Sequence, residues 1–278
     1  MSGSTSLASL RYFLLDMDGT VYLGPHPIEG APEFIRFLGE SGRRYLFFTN
    51  NPTADAEQYS VKLERMGIHA DPTDVLTSGE ATARYLVSET AYRRVYVLGT
   101  PSFEAELQRA GLEMEDEEPE VVVLSFDKTL TYAKLERACL LLRKGIPYVA
   151  TNPDKLCPTE YGYIPDCGSM AALLEAATDR LPRFIGKPNR EMVRMGLQKL
   201  GAEPERTAMV GDRLYTDMQM AYNAGITSIL VLSGETTRDR LEALERRPDF
   251  VFSSVRELHS ALARLDAEGP ERCTGGAS

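Results

Sequence analysis

Tyr12-Phe13-Leu14-Leu15-Asp16-Met17-Asp18-Gly19-Thr20 is the stretch on which the reading of the fold turns. The apolar run Tyr12 to Leu15 reads as a strand, and Asp16 and Asp18 follow at its C-terminal end. In open α/β sheets that end borders the crevice where ligands bind. Gly19 lets the chain turn sharply just beyond the acids. Asp and Gly are also ordinary turn residues, so Asp-x-Asp-Gly alone is equally a structural turn, and other segments must support any chemistry.

Outward from this stretch, short β-branched or aromatic runs alternate with amphipathic segments, the pattern of a parallel sheet covered by helices. The expected class is α/β. Strands are expected at Tyr12 to Leu15, Arg44 to Phe48, Val95 to Leu98, Val121 to Leu124, Pro147 to Ala150, Thr207 to Val210, Ser228 to Leu232 and Phe250 to Phe252. Apolar residues at three- and four-residue steps predict helices over Ala31 to Glu40, Ala54 to Met66, Leu135 to Arg143, Glu191 to Leu200 and Val255 to Leu265. Gly42, Gly67, Gly111, Gly145 and Gly201 stand where helix ends call for a left-handed residue.

The chain has 278 residues, 43% of them hydrophobic, enough for a sizeable core and about two domains. Lys and Arg total 31 against 41 Asp and Glu, a formal charge of −10. That field repels nucleic acid and anionic membrane, so neither is expected as a partner, and a phosphate-bearing ligand must be held by a locally organised site. Cys139, Cys157, Cys167 and Cys273 show no Cys-x-x-Cys spacing, and a zinc pair of Cys157 and Cys167 has no histidine near it. Met1 to Leu10 lacks a charged start and a long apolar run, and no apolar stretch approaches the roughly 20 residues of a membrane span, so a soluble cytoplasmic protein is expected. The acidic run Glu113 to Glu120 reads as a solvated turn, Glu268 to Ser278 as a frayed end, and the methionines at 195, 209, 218 and 220 as core filler.

Three more expected strands end in polar residues. Leu46-Phe47-Phe48 runs into Thr49-Asn50-Asn51, whose hydroxyl, amides and backbone N–H groups suit an anionic oxygen at a helix start and equally an N-cap. Phe184-Ile185 runs into Gly186-Lys187-Pro188, bringing one ammonium to the mouth of the sheet. Ala208-Met209-Val210 runs into Gly211-Asp212-Arg213-Leu214-Tyr215-Thr216-Asp217, where two acids bracket a loop and the start of a helix; acids there also serve merely as caps.

In order and context these residues resemble the haloacid dehalogenase superfamily of phosphotransferases. That superfamily shares Asp-x-Asp-Gly-Thr, a strand-end Ser or Thr, a Lys, and a Gly-Asp loop with a second Asp. The stretches Asp16 to Gly24, Phe48 to Pro52, Ala150 to Asp154, Gly186 to Pro188 and Gly211 to Gly225 look like its NagD-like branch, which contains phosphoglycolate, pyridoxal phosphate and nitrophenyl phosphate phosphatases. The resemblance covers about residues 10 to 260. It implies a Rossmann-like parallel-sheet core with Asp16 as nucleophile, forming an aspartyl-phosphate, and Asp18 as the acid and base that serves the leaving alcohol and then the water. It further implies Mg²⁺ held by the Asp16 carboxylate, the Asp18 main-chain carbonyl and the Asp212 carboxylate, with Asp217 behind them orienting a bound water or Lys187. Thr49, the Asn50 backbone, Asn51 and Lys187 are then expected to hold the phosphoryl oxygens. Dehalogenating members lack an acid at the position of Asp18, so its presence favours phosphate chemistry.

More chain lies between Thr49 and Lys187 than one crossover needs, so an inserted domain is expected. The resemblance implies a class-two α/β cap at 79–181, a core of 1–78 and 182–278, a hinge at Ser78-Gly79, and dimerisation through the cap. Candidate cap contacts are Asp127, Lys128, Asn152 to Lys155, Tyr161, Tyr163 and Asp166, each also readable as an exposed turn residue, while Thr131-Tyr132 opens a helix. Relatives selective for pyridoxal phosphate carry a cap histidine near the positions of Leu156 and Cys157, and this chain has no histidine between His69 and His259. His26 and His69 read as solvated. The expected activity is hydrolysis of small phosphomonoesters such as sugar phosphates, nucleoside monophosphates and 4-nitrophenyl phosphate. A phosphomutase or phosphotransferase using the same site, and a phosphate-binding regulatory module without turnover, remain as alternatives.

Overall fold

Phe13, Leu14 and Leu15 are all fully buried, and they alternate between two hydrophobic clusters. A strand that must bury both faces has to sit inside a helix-covered parallel sheet. The computed structural model describes residues 6–159 and 162–268. In it Tyr12–Asp16 is an inner strand of a six-stranded sheet ordered Phe250–Phe252, Thr227–Val231, Thr207–Gly211, Tyr12–Asp16, Arg44–Thr49, Val75–Thr77, with every pairing parallel. Phe13 and Leu15 pack with Phe34, Leu38 and Leu258 from the Ala31–Glu40 and Val255–Glu268 helices. Leu14 faces Met192, Val193 and Met220 from the Arg190–Leu200 and Gln219–Ala224 helices.

A second, five-stranded parallel sheet runs Arg183–Phe184, Tyr148–Ala150, Val121–Leu124, Arg94–Leu98, Glu113–Met114. Val122 and Leu124 face the Tyr132–Arg143 and Cys167–Thr178 helices, whereas Val121 and Val123 join the same cluster as Leu14. One apolar cluster therefore runs from sheet to sheet. An antiparallel hairpin, Leu156–Thr159 with Gly162–Pro165, projects from this second unit. No helix among the described residues is long and apolar enough to cross a membrane.

All the strands expected from the sequence are present, with ends shifted by a residue at most. Helix starts differ more, because caps fix them. Asp55 Oδ1 accepts the Gln58 N–H and Gln58 Oε1 accepts the Asp55 N–H, so that helix begins at Ala56. Thr131 Oγ1 accepts the Lys134 N–H and opens the Tyr132–Arg143 helix. The five glycines expected at helix ends all have φ between 59° and 89°. The acidic run starts as the short edge strand Glu113–Met114 before it turns. Glu268 closes the last helix; residues 269–278, Tyr161 and Cys273 lie outside the described residues.

Two expectations about the second unit change. Arg183–Phe184 lies beyond the expected boundary at 181, yet it pairs with Tyr148–Ala150, and the Ile185 N–H continues that ladder to the Ala150 carbonyl at 3.0 Å. Ser78-Gly79, expected as a hinge, is the buried first turn of the Ser78–Glu89 helix. Thr77 Oγ1 caps that turn from the Glu80 N–H at 2.9 Å, and Ser78 Oγ donates to the Asn50 carbonyl at 2.7 Å. This helix escaped the sequence reading because it packs on several sides with small residues, Gly79, Ala81, Thr82 and Ala83, and so carries little amphipathic signal.

Where this helix meets the Pro101–Arg109 helix, Glu106 stands beside Glu80 and Asp55. Burial, then the charges of Glu80 and Asp55, push its pKa up to about 7 against the opposing pull of Arg109 and Lys199. The folded protein thus binds more protons than the unfolded chain between pH 4.5 and 7, so this group's contribution to stability falls as pH rises through that window. Glu106→Gln should match the parent at pH 5 and exceed it at pH 8 by on the order of 2 kcal/mol in urea unfolding. A variant no more stable at pH 8 would contradict this placement.

Candidate active site

The central strand delivers Asp16 to its C-terminal end with both carboxylate oxygens engaged. Lys187 Nζ donates to Oδ1, and Thr20 Oγ1 donates to Oδ2 at 3.2 Å. The same ammonium donates to Asp217 Oδ1 at 2.8 Å. Burial works against the Lys187 charge, but Asp16 and Asp217 outweigh it and hold its pKa above the ordinary lysine value.

Lys187 reaches this position from the second sheet, through the loop after Arg183–Phe184, and Asn50 of the first sheet fixes the loop. Asn50 Oδ1 accepts the Lys187 N–H at 2.8 Å, and Asn50 Nδ2 donates to the Lys187 carbonyl at 2.9 Å and to Asp154 Oδ2 at 2.7 Å. A side chain at Gly186 would place its Cβ 2.6 Å from both Asn50 Oδ1 and the Thr151 carbonyl, so the loop can come this close only with glycine there. The sequence reading assigned Asn50 its backbone; the side chain's hold on Lys187 is additional.

Asp217 lies on a short π-helical turn, Leu214–Met218, and its Oδ2 accepts the Arg213 N–H at 3.1 Å. Asp212 Oδ2 accepts the Glu235 N–H at 2.6 Å, while Asp212 Oδ1 is buried with no hydrogen-bond partner. A Cβ at Gly19 would come within 2.4 Å of Asp212, and one at Gly234 within 2.0 Å. Asp16, Asp212 and Asp217 bring one oxygen each to within 4.8 Å of one another. Burial, then the charge of Asp16 and, after it, that of Asp217, raises the pKa of Asp212; burial raises that of Asp217 too, with Lys187 opposing the rise and Asp16 adding to it. Asp18 is raised as well, by loss of water and then by Asp16, against Lys62 and Arg213.

Four carboxylates, Asp16, Asp18, Asp212 and Asp217, thus outnumber the cations that act on them, Lys187, Arg213 and Lys62. An all-oxygen donor set and an unpartnered buried Asp212 oxygen fit a hard divalent cation.

Asp16, Asp18, Thr49, Asn50, Asn51 and Lys187 line one cavity of about 110 Å³. It is well below the roughly 300 Å³ where ordinary small-molecule pockets begin, so it takes a single compact group. Thr49 Oγ1 accepts the Asn51 N–H at 3.1 Å, and Asn51 Oδ1 turns back to accept the Thr53 N–H at 3.0 Å. An adjoining cavity of about 950 Å³ shares Asp18, Leu156 and Arg213 with the first and adds Asp212, Tyr163, Tyr215 and Glu235.

Of the candidates on the second unit, Asp154 and Asp166 reach the small cavity and Tyr163 the larger one. Asn152 lies between the two acids, donating to Asp154 at 3.1 Å and Asp166 at 3.2 Å. Asp127 and Lys128 line neither cavity. Asp127 is buried and binds Lys134 Nζ at 2.8 Å and the Thr129 N–H at 2.7 Å, and Lys128 lies over the Phe126 ring. The polar groups of Asp127 are consumed by its own turn, while Lys128 is exposed and its charge acts on Cys157 of the small cavity. Sequence reasoning missed Arg213, Tyr215, Leu156, Cys157 and Glu235 as lining residues. The first two stand within the Gly211 to Asp217 motif, and Glu235 follows a strand end with no motif to mark it.

A haloacid dehalogenase-like hydrolase family model matches residues 13–113, and a second HAD-hydrolase-like model matches 184–258. An acid sugar phosphatase of Staphylococcus haemolyticus is 36% identical over 261 residues, covering 94% of this chain and 98% of that protein. Among solved structures, a 4-nitrophenylphosphatase from Thermotoga maritima superposes with a TM-score of 0.89 at 47% identity, over 92% of this chain and 98% of the other. NagD from E. coli K-12 gives 0.85 at 29% identity, over 89% and 98%. With the acids, the lysine and the strand-end threonine gathered at one crevice, the chain belongs to the haloacid dehalogenase-like hydrolases, in their NagD-like branch.

Proposed function

We propose that the chain is a Mg²⁺-dependent phosphatase of small phosphomonoesters that works through an aspartyl-phosphate on Asp16. The observation that carries this reading is the contact of Lys187 with both Asp16 and Asp217 beside a cavity sized for one phosphoryl group. Thr20 and Lys187 hold the Asp16 carboxylate, so the nucleophile is oriented before substrate arrives. Lys187 and the Thr49 to Asn51 turn line that cavity, where they would meet the phosphoryl oxygens, and Asp217 holds Lys187 in line. Asp18, whose pKa is raised, gives its proton to the leaving oxygen and then takes one from the water that cleaves the intermediate. Mg²⁺, held by Asp16, Asp212 and the Asp18 main-chain carbonyl, would neutralise charge on the phosphoryl group. Such combined stabilisation is needed because hydrolysis of phosphate monoesters demands accelerations of up to about 10²¹.

The unit built on the second sheet acts as the cap in this reading. Its Asp154, Leu156 and Asp166 line the small cavity together with Asp16, and the larger cavity receives the leaving group. The names of the relatives, acid sugar phosphatase and 4-nitrophenylphosphatase, support sugar phosphates and aryl phosphates as substrates.

Phosphate release from 4-nitrophenyl phosphate should require Mg²⁺, stop with EDTA and be absent in Asp16→Asn; equal release in all samples would overturn the reading. Asp18→Asn should discriminate between leaving groups. 4-Nitrophenolate departs without a proton, whereas a sugar alkoxide needs one, so the variant should lose at least about tenfold more kcat/KM, which reports the leaving-group step, on a sugar phosphate than on the aryl ester. Equal losses would remove Asp18 from proton transfer. Asn50→Ala frees the Lys187 loop and should lower kcat/KM about 10- to 100-fold while leaving the fold intact by circular dichroism. Unchanged kcat/KM would mean that Asn50 does not position Lys187.

A further inference from the structure

We infer that the cavity between the Ser78–Glu89, Pro101–Arg109 and Arg190–Leu200 helices binds a small organic cation, an ammonium carried on an apolar body, with Glu106 as its counter-charge. This site stands apart from the phosphatase reading. Its volume is about 660 Å³, in the range of ordinary small-molecule pockets, and it shares no lining residue with the two cavities beside Asp16. Ala83, Val87 and Met195 give it an apolar wall. Met195 and Lys199 reach it from a helix packed on the first sheet, and Glu106 and Arg109 from the helix that follows Arg94–Leu98 of the second.

The bases around the cavity are already engaged. Glu80 accepts Arg84 Nε at 2.8 Å and Lys199 Nζ at 2.9 Å, and Lys199 also donates to the Val75 carbonyl at 2.7 Å. Asp55 accepts Arg109 Nη2 at 3.1 Å and caps the Gln58 N–H. Glu57, the third acid, is exposed to water. The fourth, Glu106, is half-buried and makes no hydrogen bond or ion pair among the described residues. Lining acids Asp55, Glu57, Glu80 and Glu106 therefore outnumber Arg84, Arg109 and Lys199, and the surplus falls on Glu106. Its carboxylate lies against the first turn of the Ser78–Glu89 helix, where a Cβ at Gly79 would come within 2.6 Å of Oε2. Burial and the charges of Glu80 and Asp55 outweigh Arg109 and Lys199 and resist its ionisation, a cost that a bound ammonium would relieve. An unpaired carboxylate beside apolar surface suits a ligand that brings a charge-assisted donor and an apolar body together.

4-Phenylbutylamine, 4-phenylbutan-1-ol and 4-phenylbutanoate test this, because they share an apolar body and differ in the head group. Isothermal titration calorimetry on the full chain at pH 8 should show the amine binding about 10- to 100-fold more tightly than the alcohol, and the carboxylate more weakly than either. Glu106→Gln should bring the amine down to the affinity of the alcohol. At pH 5, where Glu106 holds its proton, the parent should lose the same preference. An amine that binds no more tightly than the alcohol to the parent at pH 8 would overturn the inference. A preference for the amine that survives in Glu106→Gln would also overturn it, by placing the amine among other acids such as those beside Asp16. Binding is measured without substrate, so each of these results leaves the phosphatase reading where it stood.

Discussion

A single buried ammonium makes this arrangement of acids tenable. Asp16 and Asp217 come together with Asp212 where the sheet opens, and Lys187 is the cation that touches two of the three. Buried like charges repel strongly, and removing one partner from such a network leaves the others without compensation, a loss of several kcal/mol in comparable cases. In the reading proposed above, the charge that holds the cluster together is also the one that would meet a phosphoryl group. Stability of the site and readiness for an anion therefore have one source.

The fold explains how that charge arrives. Asp16 comes from the first sheet, while Lys187 follows an edge strand of the second, so the decisive contact joins two sheets. Asn50 and Gly186 bring the loop into place, one by gripping the Lys187 backbone and the other by having no side chain to obstruct it. The apolar cluster shared by the two sheets, from Leu14 through Phe103 to Val123, makes their relative placement a matter of packing as well as of polar contact.

Five of the six strands of the first sheet were legible in the sequence because runs such as Tyr12 to Leu15, Thr207 to Val210 and Ser228 to Leu232 are apolar and long enough to show, each followed by Asp, Gly or Ser, whereas the three-residue edge strand Val75–Thr77 is too short to show. The acids and the lysine were legible because residue type and position after a strand are properties of the chain itself. What escaped depends on distant partners. The side-chain bonds of Asn50 reach residues more than a hundred positions away, and Glu235 meets Arg213 only because two loops converge. Ser78-Gly79 read as a hinge from its place at the start of the inserted segment; its burial in a helix closely packed on Phe103 and Glu106 depends on partners the local sequence does not show. Asp127 read as a contact since an exposed turn and a buried, lysine-paired one look alike in sequence.

Asp16 as the group that takes the phosphoryl is the claim on which the rest stands, and chemical trapping tests it directly. The protein turning over 4-nitrophenyl phosphate with Mg²⁺ would be quenched in acid, reduced with borohydride and digested for peptide mass spectrometry. Reduction of an acyl-phosphate converts aspartate to homoserine, and the account predicts homoserine at position 16 alone. Homoserine at position 18 or 212, or an unmodified position 16 at a time when phosphate is being released, would contradict it.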